Sequence, residues 1–255
     1  KMGHLLWSCY GNSDLWGIWR RLSDDRFDLC RILEDIDMKK KIGIFIFIVI
    51  CSTVMLSDWI ERIYIGRLAG LPGRYNSYVG IQKEQKDSID MLVIGDSESM
   101  TSISPMELWK STGITSYVCG QSAQRISESY YMLKHALDYQ SPQVVLLETN
   151  MLFRYTNTPD SLRSSISDTA MYYFPVLQYH NLWKNIVNDQ IPEGWQSYKG
   201  FAIRSGVAAY SKGSYMKKTK KEKEIPQINL WYLDKIRKLC EKNKIQLLLY
   251  TSASP

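Results

Sequence analysis

The stretch Asp90-Met-Leu-Val-Ile-Gly-Asp-Ser-Glu-Ser99 constrains this chain more than any other. Four consecutive apolar residues, Met91 to Ile94, stand between an acidic residue and a glycine. A short apolar run closed by a turn signal is the pattern of a strand buried on both faces, as found in parallel sheets. Residues 115–118, 144–147 and 245–250 read as three further short strands. Between them, residues 126–139 and 228–243 carry apolar positions at helical spacing, and residues 105–110 read as a short helix stopped by Gly113. Strands alternating with helices predict parallel βαβ units, hence an α/β fold. Ligands of such sheets bind just outside the carboxyl ends of the strands, which is where Gly95 and Ser97 fall.

Upstream, residues 42–56 are free of charge and include Ile-Phe-Ile-Phe-Ile-Val-Ile. With Ser57, Trp59 and Ile60 the run approaches the roughly 20 residues a bilayer core needs. It follows Met38-Lys39-Lys40-Lys41, and a cluster of lysines marks the cytoplasmic side. Residues 38–62 therefore read as an uncleaved signal anchor, with Trp59 and Tyr64 at the outer interface. The competing reading is a buried strand or core helix, since β-branched residues also favour strands. Residues 1–37 have partial helical periodicity and read either as a short amphipathic helix or as an extension upstream of a native start at Met38. The lysines followed at once by the apolar run favour the second reading. Residues 63–85 read as a linker, with turn signals at 71–78, and residues 86–255 as the α/β domain. An aromatic, irregular insertion spans about 155–225 and reads as a lid or substrate-facing segment; its charge run at 216–224 reads as a solvated loop.

Charge is unevenly spread. The net charge is +6, but residues 1–37 hold five Lys/Arg against seven Asp/Glu, leaving 27 against 19 for the rest. A cationic surface suits an anionic partner such as a membrane face, a teichoic acid or an acidic glycan, and equally serves solubility. Cys9, Cys30, Cys51, Cys119 and Cys240 stand at no metal-ligand spacing and form no disulfide pattern, so no metal is expected. Ile50 before Cys51 is too large for a lipoprotein cleavage site. No cofactor and no nucleic-acid partner are expected.

Gly95-Asp96-Ser97 resembles the first block of the SGNH/GDSL superfamily of serine esterases and acyltransferases. The continuation through Ile103-Ser-Pro-Met-Glu-Leu-Trp109 and Gly113-Ile-Thr-Ser-Tyr117 is similar to a narrower group: membrane-anchored envelope proteins of the lipoteichoic-acid D-alanylation and alginate-type O-acetylation kinds. The matching region runs from about residue 90 to 150. The resemblance implies a flavodoxin-like three-layer α/β/α domain in which Ser97 is the nucleophile. It also implies an oxyanion hole from the Ser97 and Gly120 backbone N–H groups and the Asn150 side chain. The family's third block reads Gly-x-Asn where this chain has Glu148-Thr149-Asn150. Asp96 and Ser122 are secondary candidates. A serine needs a base to take its proton, and donors fixed around the developing oxyanion stabilise its charge.

The family's base is an Asp-x-x-His pair after a late strand. This chain has His4, His135 and His180. His4 precedes the anchor, His135 falls mid-helix at a partly exposed position, and His180 has Leu177 where the Asp would stand. His180 is the weak candidate base; the simpler expectation is a C-terminally truncated chain that lacks turnover by itself. Three functions remain open. One is an envelope-anchored acyltransferase or esterase that works with a membrane-bound acyl-donor partner on a cell-surface glycan or teichoic acid. Another is a non-catalytic assembly factor of the same fold assisting teichoic-acid D-alanylation. The third is a flavodoxin-like anion-binding module, ranked last because no Gly-rich phosphate loop is present.

A signal anchor with lysines at its cytoplasmic end makes a directional statement about topology. A reporter fused after Gly80 is expected to be active only outside the cytoplasm; cytoplasmic activity at that junction contradicts the anchor.

Overall fold

The computed structural model of the chain describes residues 38–63, 76–154, 158–179, 198–203, 222 and 224–252. The chain divides into two compact units, Lys1–Met55 and Leu56–Pro255. Helix α1, Met38–Ile63, begins in the first. From Met38 to Arg62 it is long and apolar enough to cross a membrane, and its side chains face outward, with Phe45 and Phe47 each 67% exposed. Exposed aromatic and branched apolar side chains on that scale suit a lipid environment.

The second unit holds four parallel strands, β1 (Met91–Gly95), β2 (Ser116–Gly120), β3 (Val144–Glu148) and β4 (Gln246–Tyr250), in the order β2-β1-β3-β4. The fold is α/β, as the sequence implies. β1 lies between β2 and β3, and its Leu92, Val93 and Ile94 are fully buried. Alternation sorts its side chains. Leu92 and Ile94 join one core with Tyr117, Cys119, Val145 and Leu147, while Met91 and Val93 join the other with Val118.

Helices cover both faces. On the larger side lie α2 (Asn76–Lys83), α5 (Ile126–Ala136) and α8 (Gln227–Lys242), contributing Ile81, Met132, Leu133, Ile236 and Cys240 to the core. On the other side, Met100 from α3 (Ser99–Ser102) and Leu108 from α4 (Pro105–Thr112) pack against Val93 and Val118. α4 has Pro105 in its first turn, a Ser104 cap accepting from Glu107 N, and Gly113 in the left-handed region at its end (φ 74°). These are the start and stop signals expected of such a helix.

The two edges of the sheet differ. Segment 198–203 lies along β2, where Val118 N donates to Lys199 O at 2.9 Å and Ala202 N donates to Met100 O at 2.8 Å. Gly200 has φ 79°, and a Cβ there would run into the Val118 carbonyl. β4 pairs with β3 alone among the described residues, and Leu248 and Leu249 are exposed on its two faces.

Three readings of the sequence change. Residues 76–83 of the expected linker form α2, because Tyr78, Val79 and Ile81 are buried. The expected irregular insertion contains α6 (Thr158–Tyr173) and the short α7 (Pro175–Gln178). α6 escapes an apolar-periodicity search because its buried face is polar, built from Ser161, Ser165 and Asp168. His135 is not partly exposed but buried, with Nε2 3.1 Å from Tyr78 O and 3.0 Å from Gln82 Nε2, so it is a structural histidine. Burial lowers its pKa, against the pull of the Tyr78 carbonyl.

α6 is tied to the start of α5 by charge. Asp168 accepts from Arg125 Nε at 2.9 Å, and also pairs with Arg125 Nη2 and the Ser127 hydroxyl. Removing one member of a buried ion pair strands the other. Asp168→Ala is expected to cost about 3 kcal/mol, read as a lower midpoint in thermal melting of the detergent-solubilised chain. A change within about 0.5 kcal/mol would show that α6 is held by its tyrosines instead.

Candidate functional site

The site is built at the carboxyl end of β1. Gly95 ends the strand where the chain has no room for a side chain: a Cβ there would sit 2.5 Å from Glu148 Cβ and 2.8 Å from Ser99 Cβ. Gly120, its register partner on β2, is equally crowded, with 2.7 Å to Ser99 Oγ and to Met100 Cγ. The two glycines let the β1 and β2 ends and the turn into α3 close together.

Asp96 and Ser97 make that turn. Asp96 is buried; its Oδ1 accepts from Glu98 N at 2.8 Å, its Oδ2 pairs with the Arg154 guanidinium, and its carbonyl accepts from Ser99 Oγ at 2.7 Å. All of its acceptors are spent on holding the turn, which assigns it a positioning role. Ser97 is half-buried, and its hydroxyl has no hydrogen-bond partner among the described residues.

Asn150 opens a 3-10 turn, Asn150–Phe153, after β3. Its backbone N–H donates to Glu148 Oε1 at 3.0 Å and its side-chain Nδ2 donates to Glu98 Oε2 at 3.1 Å. Through Glu98 the structure brings Asn150 to the Ser97 turn. An amide has two side-chain N–H groups, so the bond to Glu98 uses one and leaves the other. Gly120 is the last residue of β2, and its carbonyl accepts from Ser77 Oγ at 2.8 Å. Ser122 is exposed in the turn after β2. His4 and His180 lie outside the described residues.

Glu148, Glu98 and Arg154 belong to this site and were not singled out from sequence. The signal available was a carboxylate directly ending an apolar strand, in place of the small residue such a strand end invites. Glu148 is fully buried, and its Oε2 has no hydrogen-bond partner among the described residues. Burial raises its pKa, with the charges of Asp96 and Glu98 adding to the effect; the Asn150 N–H bonded to Oε1 opposes it, as does the Ser252 N–H, which lies near without a formed hydrogen bond. Although Asp96, Glu98 and Glu148 share one neighbourhood, no group of three His, Cys, Asp or Glu among the described residues is arranged to hold a metal.

Unsatisfied polarity concentrates here. Among the described residues, seven buried side-chain polar atoms lack a hydrogen-bond partner. Six belong to Gln121, Gln124, Glu148, Tyr250 and Ser252, which lie at or just beyond the carboxyl ends of β2, β3 and β4. Burial pushes the Tyr250 phenol up; the hydroxyls of Ser102 and Ser252 lie close enough to oppose the shift, though neither meets the geometry of a formed hydrogen bond. Unpartnered buried polar groups cost free energy and are rare where no function retains them. Comparison with protein-family models, with curated proteins and with solved structures finds no match to this chain.

The raised pKa of Glu148 gives a signed prediction. A carboxyl that holds its proton more tightly in the folded state lowers stability as pH rises from the unfolded value through the folded one. Below the ordinary value near 4.5 the cost is absent. Glu148→Gln keeps the shape and an acceptor for Asn150 N–H. It is expected to raise the melting temperature at neutral pH, with the gain closing as pH falls below 4.5. A gain of equal size on both sides of that interval contradicts the assignment.

Proposed function

We propose that the chain is a membrane-anchored SGNH-type serine acyltransferase or esterase, acting on a cell-envelope polymer or exopolysaccharide through Ser97. The observation that carries this reading is the gathering of unpartnered buried polar groups at the carboxyl ends of the strands, around a turn that leaves the Ser97 hydroxyl uncommitted. The strand order β2-β1-β3-β4 supports it, since the flavodoxin-like doubly wound order begins in that way. The long apolar helix α1 and the basic character of residues 38–255 support an envelope location, with the α/β domain on the extracytoplasmic side.

In this reading Ser97 attacks the acyl carbonyl. The new C–O bond forms as the serine proton passes to a base, and the alcohol of the donor leaves; a sugar or polyol hydroxyl, or water, then takes the acyl group. Negative charge on the carbonyl oxygen is met by the Ser97 and Gly120 backbone N–H groups and by the second N–H of Asn150. Asp96, clamped by Arg154, fixes the turn, and Glu98 orients Asn150.

The test is made in cells with the full-length protein, since the chain by itself is expected to lack turnover, and compares variants at equal protein level. Ser97→Ala is expected to remove acyl transfer while leaving the fold intact, because removing a turn hydroxyl costs little stability and removing a covalent nucleophile removes most of the rate. Gly120→Ala also crowds the turn; Asn150→Ala does not and is expected to cost on the order of a hundredfold. Polymer modification that persists in Ser97→Ala at normal protein level identifies the chain as an assembly factor of this fold.

A further inference from the structure

Helix α6 carries its apolar side chains on the outside. Its buried positions Ser161, Ser165 and Asp168 are polar, while Leu162, Ile166 and Tyr173 are 51%, 62% and 55% exposed. At 3.6 residues per turn, positions 162, 166 and 173 fall on one line along the helix. The stripe is roughly 16 Å long, at about 1.5 Å of rise per residue. Asp160, Arg163 and Ser167 fill the exposed sector beside it, and Leu177 on α7 is exposed as well. Scattered apolar side chains are ordinary on a surface; an aligned set bordered by a charged sector marks a docking surface.

The end of α1 lies beside this stripe, within the same compact unit, Leu56–Pro255. Val176 N, in the first turn of α7, donates to Ser57 Oγ at 3.2 Å, and Ser57 is 3% exposed. Phe174 at the N-cap of α7 supplies no side-chain acceptor, so Ser57 satisfies an N–H that a helix start leaves open. Ser57 also marks where α1 leaves hydrocarbon. Residues 42–57 carry no charge, and directly after them Asp58 forms an exposed ion pair with Arg62 at 2.9 Å. Exposed charges of that kind belong to the interface and not to the bilayer core. Trp59 and Tyr173 are both exposed and stand close in sequence to the two partners of the Ser57–Val176 bond, as residues of an interfacial aromatic belt do.

We propose that α6 and α7 form a second membrane contact, with Leu162, Ile166, Tyr173 and Leu177 set into the leaflet at which α1 ends. The partner is the lipid surface itself. The inference rests on α1 crossing the membrane and is independent of the Ser97 chemistry. Four such side chains are a weak attachment for a free protein. Here α1 already holds the domain at the surface, so the contact is intramolecular in effect and needs little affinity of its own. The stripe is uncharged and the charges of Asp160 and Arg163 beside it offset each other, so the contact takes neutral lipid. Two points of attachment fix how the α/β domain faces the membrane, which one helix by itself does not.

The experiment reconstitutes the whole chain in nanodiscs of phosphatidylcholine. A minor share of that lipid carries a photoactivated diazirine in its acyl chain, and adducts are mapped by peptide mass spectrometry. Adducts are expected on α1 and on the α6–α7 peptide, and not on Trp109 of α4, which is 59% exposed on the opposite side of the sheet. Leu162→Glu with Ile166→Glu is expected to lower labelling of α6 and α7 at least about tenfold, since each buried aliphatic side chain is worth that much or more. The α1 adducts and the melting midpoint are expected to stay as they were, both positions being exposed. Ser97→Ala is expected to give the wild-type pattern. Adducts on α1 with none on α6–α7, or labelling of Trp109 equal to that of α6, overturn the second contact and leave the anchor standing. The same holds if Leu162→Glu with Ile166→Glu lowers the oligomeric mass in detergent, which assigns the stripe to a second copy of the chain. Absence of adducts on α1 overturns the anchor and the second contact together.

Discussion

Burial of β1 on both faces is the constraint from which the rest of the α/β unit follows. Leu92, Val93 and Ile94 expose no surface, so both faces of the sheet must be covered, and the helical crossovers that join β1 to its parallel neighbours supply that cover. Each buried aliphatic side chain is worth about 1.5–3 kcal/mol relative to exposure. The central strand ends at Gly95, where Glu148 and Ser99 close in on its Cα. The position of the polar turn is therefore set by the apolar core beneath it. Asp96 and Arg154 lock the turn, and Glu98 and Asn150 connect it to β3.

What could be read in the residues and what could not divides along a physical line. Strands β1 to β4 and helices α4, α5 and α8 declare themselves through apolar periodicity and turn residues. So does the Ser97 turn, because a glycine and two polar residues follow a buried run. α6 was invisible because its buried side carries Ser161, Ser165 and Asp168, whose partners Arg125 and Ser127 lie some forty residues away in the chain. His135 could not be placed by periodicity, since its burial depends on Tyr78 from a segment with no strong pattern. Glu148, Glu98 and Arg154 carry no local signal for a network that forms only when the ends of β1 and β3 meet.

The two ends of the sheet differ in kind. At the carboxyl end, unpartnered polar atoms surround a turn that is rigid by construction: two glycines, a spent aspartate and a buried carboxyl leave it little freedom. Preorganisation of that sort is what electrostatic stabilisation of a developing charge requires. At the amino end the polar groups are fewer, and the surface beside them is aromatic and open. β2 spans the distance between them, from the buried Ser116 at one end to Gly120 at the other.

The uneven edges of the sheet bear on how this protein behaves in detergent. α1 is sticky without direction, and any detergent micelle will satisfy its side chains. β4 is different: no described residue pairs with its outer edge, and it offers Leu248 and Leu249 together with a row of backbone groups, for which a micelle supplies no hydrogen bonds. Solubilisation therefore masks one adhesive surface and leaves the other, whose natural complement is another strand. The β2 edge escapes the problem because residues 198–203 already run along it. Self-association through the edges of the described sheet would thus be one-sided, growing from β4 as a pairing of strands, and it would be relieved by a competing strand and not by more detergent.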